Sequence, residues 1–289
     1  MTSDFPIPLN DNALLATICY KPIKGIIFDF DGVLSSFQNR IGYPITSAAL
    51  MIKKDISKDL MTEASLEIFE NLTKIEKHPS KTNFIKMSFN MGKRLGMTNF
   101  QAFRFVGTVG IIYAKNRKRI IPRKGARKVL REILSEDYKV ILITNSSRRI
   151  INAAEKEIPE LKEFDLILTR DEMKSIKPSS IGFYKAMNIL GLDPDEMISI
   201  GDQASDIIAS RKAGIRTIAM FDQEMEFTKP QIVNENPNFI IQDIIQLPKL
   251  LVFLRDCIIE DIRTTIDFTE RSLTDFINES SHAINTISS

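Results

Sequence analysis

The chain has 289 residues, 43% of them hydrophobic and 26% charged, which is the composition of an ordinary globular protein of about two domains. Its formal net charge of +2 is too small to indicate a nucleic-acid partner, and two cysteines give no disulfide framework. With two histidines the chain has little material for a zinc site or a Ser-His-Asp triad, so an enzyme built from it would rely on carboxylates, lysine and hydroxyl groups.

Patterns of targeting and of nucleotide binding are not found in the sequence. The first residues lack the basic and apolar stretches of a signal peptide, and no apolar run reaches the roughly 18 residues of a membrane span. Neither common glycine-rich phosphate loop occurs. We therefore expect a cytoplasmic protein with no membrane partner.

Short apolar runs predict the strands of a parallel sheet. The first, residues 26–28, leads into Asp29, and the turn-forming pair Asp31-Gly32 ends the element. The later runs are continuous rather than alternating, as expected for strands that are buried on both faces. They cover residues 139–144, 164–169, 196–201 and 215–220.

Between these runs, apolar residues recur at the three- and four-residue spacing of amphipathic helices. We expect two of the helical stretches to end at Gly191 and Gly214, because glycine readily adopts the left-handed conformation that follows many helix C-termini. The alternation of strands and helices predicts an α/β fold, a Rossmann-like doubly wound parallel sheet with helices on both faces.

The region between the first two strands carries helical patterns only. Thr98 and Gln101 form a capping box, which predicts the start of one of its helices. The expected buried stripes are Leu66, Phe69, Leu72 and Ile75 on one helix and Phe103, Val106, Gly110 and Ile111 on another.

These patterns divide the chain into four segments. Pro122 and Gly125 mark the return from the helical region to the sheet. A leucine stripe begins at Leu247 and continues into a helical C-terminal tail. We expect a core formed by residues 1–37 and 121–249, a small all-helical domain at residues 38–120, and a C-terminal helical extension at residues 250–289.

The stretch from residue 115 to residue 131 contains nine Lys or Arg and no Asp or Glu. An electropositive rim that attracts anionic substrates would explain it, and so would contact with RNA. We favour a third interpretation, a basic face exposed to solvent.

Two carboxylates follow directly after the first predicted strand. Open α/β sheets bind ligands at the carboxyl ends of their strands, near the point where the strand order reverses. Asp29 and Asp31 lie at such an end, where they repel each other and need a cation, a shared proton or water. Taken alone, the pair is explained equally well by a solvated turn.

Three further features follow in chain order, each at the carboxyl end of a strand or just before a helix. Thr144-Asn145-Ser146 end the second strand and precede a helix, which suits either a phosphate or simple N-capping. Lys177 lies in a loop before a helix. Asp202 and Asp206 follow the fourth strand and offer the hard oxygen ligands that magnesium prefers. Together these features indicate a phosphate and metal site.

The same residues resemble the motifs of the haloacid dehalogenase-like hydrolase superfamily. The matching segments are FDFDGVL (28–34), ILITNS (141–146), IKPSS (176–180) and GDQASD (201–206). The resemblance covers about residues 23 to 245 and is closest to the phosphoglycolate phosphatase-like branch, which has a helical cap inserted after the first motif. It implies that residues 38–120 are a cap, that magnesium is the cofactor, and that the substrate is a small phosphorylated metabolite.

The resemblance also implies a role for each motif residue. Asp29 would attack phosphorus to form an aspartyl phosphate, and Asp31 would protonate the leaving oxygen and later activate water. Thr144, Asn145 and Lys177 would bind the phosphoryl oxygens; the magnesium ligands would be Asp29, the backbone carbonyl of Asp31, Asp202 and Asp206.

We therefore expect a phosphatase that acts on a small metabolite such as phosphoglycolate or a sugar phosphate. A sugar phosphomutase would share all four motifs, and a non-catalytic binding or regulatory protein with this fold is a third hypothesis. The motifs determine neither the substrate nor whether the protein is a homo-oligomer.

Overall fold

A computed structural model of the chain describes residues 22–36, 42–57, 60–61, 81–116, 119–221, 229–256 and 266–267. The strands are β1 (Gly25–Phe28), β2 (Lys139–Ile143), β3 (Leu166–Leu168), β4 (Met197–Gly201), β5 (Arg216–Met220), β6 (Phe239–Ile241) and β7 (Ile266–Asp267). The described helices are α1 (Tyr43–Ile52), α2 (Lys81–Arg94), α3 (Asn99–Asn116), α4 (Ala126–Leu134), α5 (Arg148–Ala154), α6 (Ile181–Leu190), α7 (Ala204–Lys212), α8 (Lys229–Val233) and α9 (Leu247–Asp256).

The strands form one parallel sheet in the order β3-β2-β1-β4-β5-β6-β7. The chain builds outward from β1 to β3, returns to the other side of β1, and then builds outward again from β4. The strand order therefore reverses between β1 and β4, where ligands bind in open α/β sheets. Phe28 pairs with Leu142 of β2 and with Ile200 of β4, so the residues after these three strands emerge at the same edge.

Helices cover both faces of the sheet. Phe28 of β1 packs in a cluster with Leu130 of α4 and Leu250 of α9. The preceding residue, Ile27, points to the opposite face of the sheet and packs in a cluster with Phe183 of α6. Successive side chains of a strand alternate between faces, so continuous apolar runs are needed when both faces are covered. The predicted doubly wound fold is confirmed.

Several predicted element ends are also confirmed. Gly191 and Gly214 follow α6 and α7 with φ of 65° and 78°. The Thr98 N–H donates to Gln101 Oε1 at 2.9 Å, and the Gln101 N–H donates to Thr98 Oγ1 at 3.3 Å, which completes the capping box of α3. Leu247 is fully buried, so α9 packs on the core and contains the start of the predicted C-terminal extension.

Helices α1, α2 and α3 share a hydrophobic cluster of their own. Its fully buried members include Leu95 and Phe105. The stripe predicted on α3 is wrong, because Phe103 is 67% exposed and Ile111 is 60% exposed. The buried face of α3 is instead Ala102, Phe105 and Val109.

The reason for this difference is a close contact between α2 and α3. A Cβ at Gly92 of α2 would lie 3.1 Å from Ala102 Cβ and 3.3 Å from Phe105 Cδ1. Small residues let the two helices approach on this side, and the spacing of apolar residues on α3 does not reveal which stripe faces inward. The other predicted stripe, Leu66 to Ile75, lies outside the described residues.

In the part of the chain that the structure describes, no helix combines the length and the apolar character required to cross a membrane. Most of the predicted C-terminal extension after residue 256 lies outside the described residues.

Candidate active site

The loop after β1 lies at the carboxyl edge of the sheet. The Asp29 N–H donates to the Ile200 carbonyl at 2.9 Å, which continues the pairing of β1 with β4 by one residue. The loop then folds back, because the Leu34 and Ser35 N–H groups both donate to the Phe30 carbonyl. Phe30 is fully buried. The Phe30 side chain and these hydrogen bonds hold the two carboxylates of the motif at the edge of the sheet.

Gly32 lets this loop approach the end of β4. Its φ is 92°, a conformation that residues with a side chain rarely adopt. A Cβ at this position would lie 1.8 Å from Asp202 Oδ2. Any larger residue would therefore push the two carboxylate-bearing segments apart.

Lys177 joins the segments that follow β1, β2 and β4. Its Nζ lies 2.5 Å from Asp29 Oδ1, 2.5 Å from Asp206 Oδ1 and 3.0 Å from the Ile143 carbonyl. The Lys177 side chain is 3% exposed, so these contacts are made away from water. Charged hydrogen bonds of this kind are stronger than neutral ones.

Asn145 holds the backbone of Lys177 in place. Asn145 Oδ1 accepts from the Lys177 N–H at 2.9 Å, and Asn145 Nδ2 donates to the Lys177 carbonyl at 3.2 Å. The side-chain amide is thus engaged with the loop of Lys177. A contact of this residue with phosphate would have to come from its backbone N–H.

The Asp31 carboxylate contacts two serines. Ser146 Oγ donates to Asp31 Oδ2 at 2.6 Å, and Ser35 Oγ donates to Asp31 Oδ1 at 3.3 Å. Asp31, Ser35 and Ser146 are all buried. Next to them, Thr144 Oγ1 accepts from the Ser146 N–H at 3.0 Å, which leaves the Thr144 hydroxyl hydrogen to donate to another group.

The structure brings the predicted acidic ligands together. Asp29, Asp202 and Asp206 each offer an oxygen, and these oxygens lie within 4.8 Å of one another. Asp202 is 2% exposed, and neither of its carboxylate oxygens accepts a hydrogen bond from the residues that the structure describes. A buried anion without a donor is costly, and three buried carboxylates match the hard oxygen ligands of magnesium. The donor set therefore fits a divalent cation.

Burial and mutual repulsion raise the pKa values of these carboxyls. Burial raises the pKa of Asp29 most; Lys177 opposes the rise, Asp206 and Asp31 add to it, and the resulting pKa is about 7. Burial, followed by the charges of Asp29 and Asp206, raises the pKa of Asp202 well above its usual value. Burial lowers the pKa of the Lys177 ammonium, but contact with Asp206 and Asp29 outweighs this effect and the net pKa is raised. One lysine thus leaves the carboxylates only partly neutralised.

Sequence reasoning missed Arg123 as a neighbour of the site. The positive charge of Arg123 opposes the rise in the pKa of Asp202, which places the guanidinium group near that carboxyl. The Arg123 N–H donates to the Leu34 carbonyl at 2.9 Å, so its backbone is tied to the loop after β1. Arg123 belongs to the basic stretch that we interpreted as a solvated face. Its position immediately after Pro122, where the chain returns to the core, was the available signal.

Comparisons with known proteins agree with this geometry. The family model of the haloacid dehalogenase-like hydrolases matches residues 26–220. Pyrophosphatase PpaX of Bacillus cereus (strain AH820) is 31% identical over 94 residues, which are 32% of this chain and 43% of that relative. The match thus spans less than half the length of that relative.

Two solved structures resemble the whole core. A predicted phosphoglycolate phosphatase from Haemophilus somnus has a TM-score of 0.59 at 18% identity, and the match covers 80% of this chain and 99% of that chain. The protein YfnB from Bacillus subtilis, bound to magnesium, has a TM-score of 0.58 at 15% identity, with coverage of 80% and 99%. At these sequence identities the two structures show a similar fold only. The family model, in contrast, matches most of the chain, including the motifs of the site, and therefore shows the family. The chain belongs to the haloacid dehalogenase-like hydrolase family.

Proposed function

We propose that this chain is a magnesium-dependent phosphatase that hydrolyses a small phosphorylated metabolite through a phosphoryl group carried on Asp29. The observation that carries the proposal is the placement of Lys177 between Asp29 and Asp206, which form a group of three buried carboxylates with Asp202. Among the described residues, none donates a hydrogen bond to the Asp202 carboxylate. A buried nucleophile, a buried cation and a set of hard oxygen ligands for magnesium are the parts that phosphoryl transfer needs.

Asp29 is suited to attack phosphorus when it is ionised. Burial works against ionisation, and the contact of Lys177 with Asp29 Oδ1 works for it. Magnesium held by Asp29, Asp202, Asp206 and the Asp31 carbonyl would neutralise these carboxylates and the phosphoryl oxygens. Attack by Asp29 gives an aspartyl phosphate, and Asp31 donates a proton to the leaving oxygen and then accepts one from water.

The phosphoryl oxygens would be held by groups from two loops. The Thr144 hydroxyl has its hydrogen to donate, since its oxygen already accepts from the Ser146 N–H. The Asn145 backbone N–H supplies a second donor, and the Lys177 ammonium, whose three hydrogens face Asp29, Asp206 and the Ile143 carbonyl, supplies positive charge next to the phosphoryl group. The hydrogen bonds between Asn145 and Lys177 fix the two loops relative to each other, so these groups would face the same phosphate.

The helical segment at residues 38–120 would act as a cap over this site. It leaves the core after Ser36 and returns at Ile121, and the Ser36 N–H donates to the Ile121 carbonyl at 2.9 Å. Both connections therefore lie beside the loop of Asp29 and Asp31. A cap at this place restricts access to small substrates, in line with the names of the relatives, which refer to pyrophosphate and phosphoglycolate.

The test is release of phosphate from a panel of phosphorylated metabolites, pyrophosphate and phosphoglycolate included, with and without magnesium. We expect turnover by the wild type only with magnesium, no turnover by Asp29→Asn, and unchanged turnover by Asp137→Asn, a matched change of an exposed carboxylate. No turnover of any compound by folded, metal-loaded wild type would contradict the proposal. Turnover only in the presence of a sugar bisphosphate activator would indicate a phosphomutase instead.

A further inference from the structure

We propose that Ser146 is a positioning residue that holds Asp31 for proton transfer to the leaving oxygen, an inference that rests on the proposed phosphatase function. The distance from Ser146 Oγ to Asp31 Oδ2 is 2.6 Å, in the range of a strong hydrogen bond to a carboxylate. The two residues are 115 positions apart, so this contact ties the loop after β1 to the end of β2.

The backbone of Ser146 is fixed on both sides, which gives its hydroxyl a defined place. The Ser146 N–H donates to Thr144 Oγ1 at 3.0 Å, and its carbonyl accepts from the Arg170 N–H at 3.1 Å. The Ser146 side chain is buried, so water competes little for the hydroxyl. Ser35, four residues after Asp31 in the same loop, makes the longer contact of 3.3 Å with the other oxygen.

The contact assigns separate tasks to the two oxygens of Asp31. Because Ser146 holds Oδ2 by the short contact and Ser35 makes only the longer contact with Oδ1, Oδ1 is the oxygen that exchanges a proton with the leaving group. As an Asp29 oxygen bonds to phosphorus, the electrons of the breaking P–O bond pass to the leaving oxygen, which takes the proton from Asp31 Oδ1. Asp31 is then a carboxylate with Oδ2 still bound to Ser146, ready to accept a proton from water.

Aryl phosphates test this role, because their leaving groups differ in how much protonation they need. Phenoxide is a strong base with a conjugate-acid pKa near that of tyrosine, about 10, whereas p-nitrophenoxide leaves readily without a proton. With magnesium-loaded full-length protein, Ser146→Ala should lower kcat/KM for phenyl phosphate by roughly 10-fold or more and for p-nitrophenyl phosphate by under about threefold. The value of kcat/KM reports the first chemical step, in which the leaving group departs.

Three further variants make the test specific. Ser146→Thr keeps the hydroxyl and should restore most of the activity on phenyl phosphate. Ser147→Ala removes a neighbouring hydroxyl that makes no capping hydrogen bond and should leave both substrates unaffected. In an Asp31→Asn background, Ser146→Ala should cause no further loss, because Ser146 acts through Asp31.

The outcomes separate this inference from the proposed function. Equal losses of kcat/KM for the two esters would show a structural role for Ser146 and overturn the inference. No loss for either ester would also overturn it, and so would an additional loss from Ser146→Ala in the Asp31→Asn background. In each of these cases wild-type turnover stands and so does the phosphatase function. No turnover of either ester by wild type would overturn the phosphatase function and the inference with it.

Discussion

Replacement of Lys177 by methionine tests the electrostatic design of the site. The change keeps much of the side-chain volume but removes the cation that contacts both Asp29 and Asp206 at 2.5 Å. Removing one partner of a buried ion pair costs about 3–5 kcal/mol, because the remaining charge stays buried without compensation. We expect a loss of this size in the free energy of unfolding of the metal-free protein at pH 8.

The loss should shrink as the pH falls. The folded-state pKa of Asp29 is raised to about 7, and Lys177 acts to lower it, so the variant should have a still higher pKa at this carboxyl. A raised carboxyl pKa destabilises the fold in full above the folded-state pKa, and the destabilisation declines as the pH falls towards the unfolded-state pKa, 3.8 for Asp29. At pH 5 the carboxyl is neutral in the folded variant, and less of the penalty remains.

Urea denaturation at pH 5 and pH 8 measures both effects. Lys139→Met is the control, since Lys139 pairs with Asp165 at 2.9 Å on the surface with its side chain 54% exposed, and such pairs contribute little. Saturating magnesium should restore part of the stability of Lys177→Met, because a ligand that binds the folded state stabilises it. Equal losses for the two lysine variants, or a loss for Lys177→Met that does not depend on pH, would refute the reasoning.

Three other predictions concern the glycine contact, the helical cluster and the ion pairs that the buried Glu160 makes with Arg127 and Arg131. Gly32→Ala should abolish magnesium binding in titration calorimetry, because its Cβ would lie 1.8 Å from Asp202 Oδ2; retained binding would contradict the close packing. In urea denaturation, Phe105→Ala should cost about 3–5 kcal/mol and the exposed Phe103→Ala about 1 kcal/mol or less, and the reverse order would favour the stripe predicted from the sequence. Burial raises the pKa of the Glu160 carboxyl, but hydrogen bonds from Arg127, from the backbone and from Arg131, with the charge of Arg127, together lower it below its usual value. A carboxyl whose pKa is lowered in the folded state stabilises the fold above its unfolded-state pKa, and this stabilisation is lost as the pH falls through the folded-state pKa. Glu160→Gln should therefore lower the melting temperature at pH 7 and have little effect near pH 2. A difference in melting temperature that does not change with pH would contradict this.

The strand-end carboxylates could be predicted from the sequence, because their placement follows from topology. Asp29 and Asp202 each come after a continuous apolar run, and parallel strands bring their carboxyl ends to one edge whatever the length of chain between them. Lys177 is different, since its loop reaches the edge through the hydrogen bonds with Asn145 that no spacing rule reveals. Its role was inferred from the family motif rather than from the local pattern.

Features that depend on packing could not be predicted. The buried face of α3 is selected by the close approach at Gly92, and α3 has apolar residues on more than one face. Strand β6 is only three residues long, too short for a periodic pattern, and it was missed. Arg123 lies in a run of positive charge in which Lys124, Arg127 and Lys128 are exposed, so its place near Asp202 emerged only from the fold.

The most direct test of the account is a search for the phosphoryl group on Asp29. Wild-type protein turning over p-nitrophenyl phosphate with magnesium is quenched in acid, digested and analysed by peptide mass spectrometry. The account predicts one added phosphoryl group on the peptide that contains Asp29, and none on that peptide in Asp29→Asn. Rapid turnover with the phosphoryl group on another residue, or turnover that persists in Asp29→Asn, would contradict the assignment of Asp29 as the nucleophile.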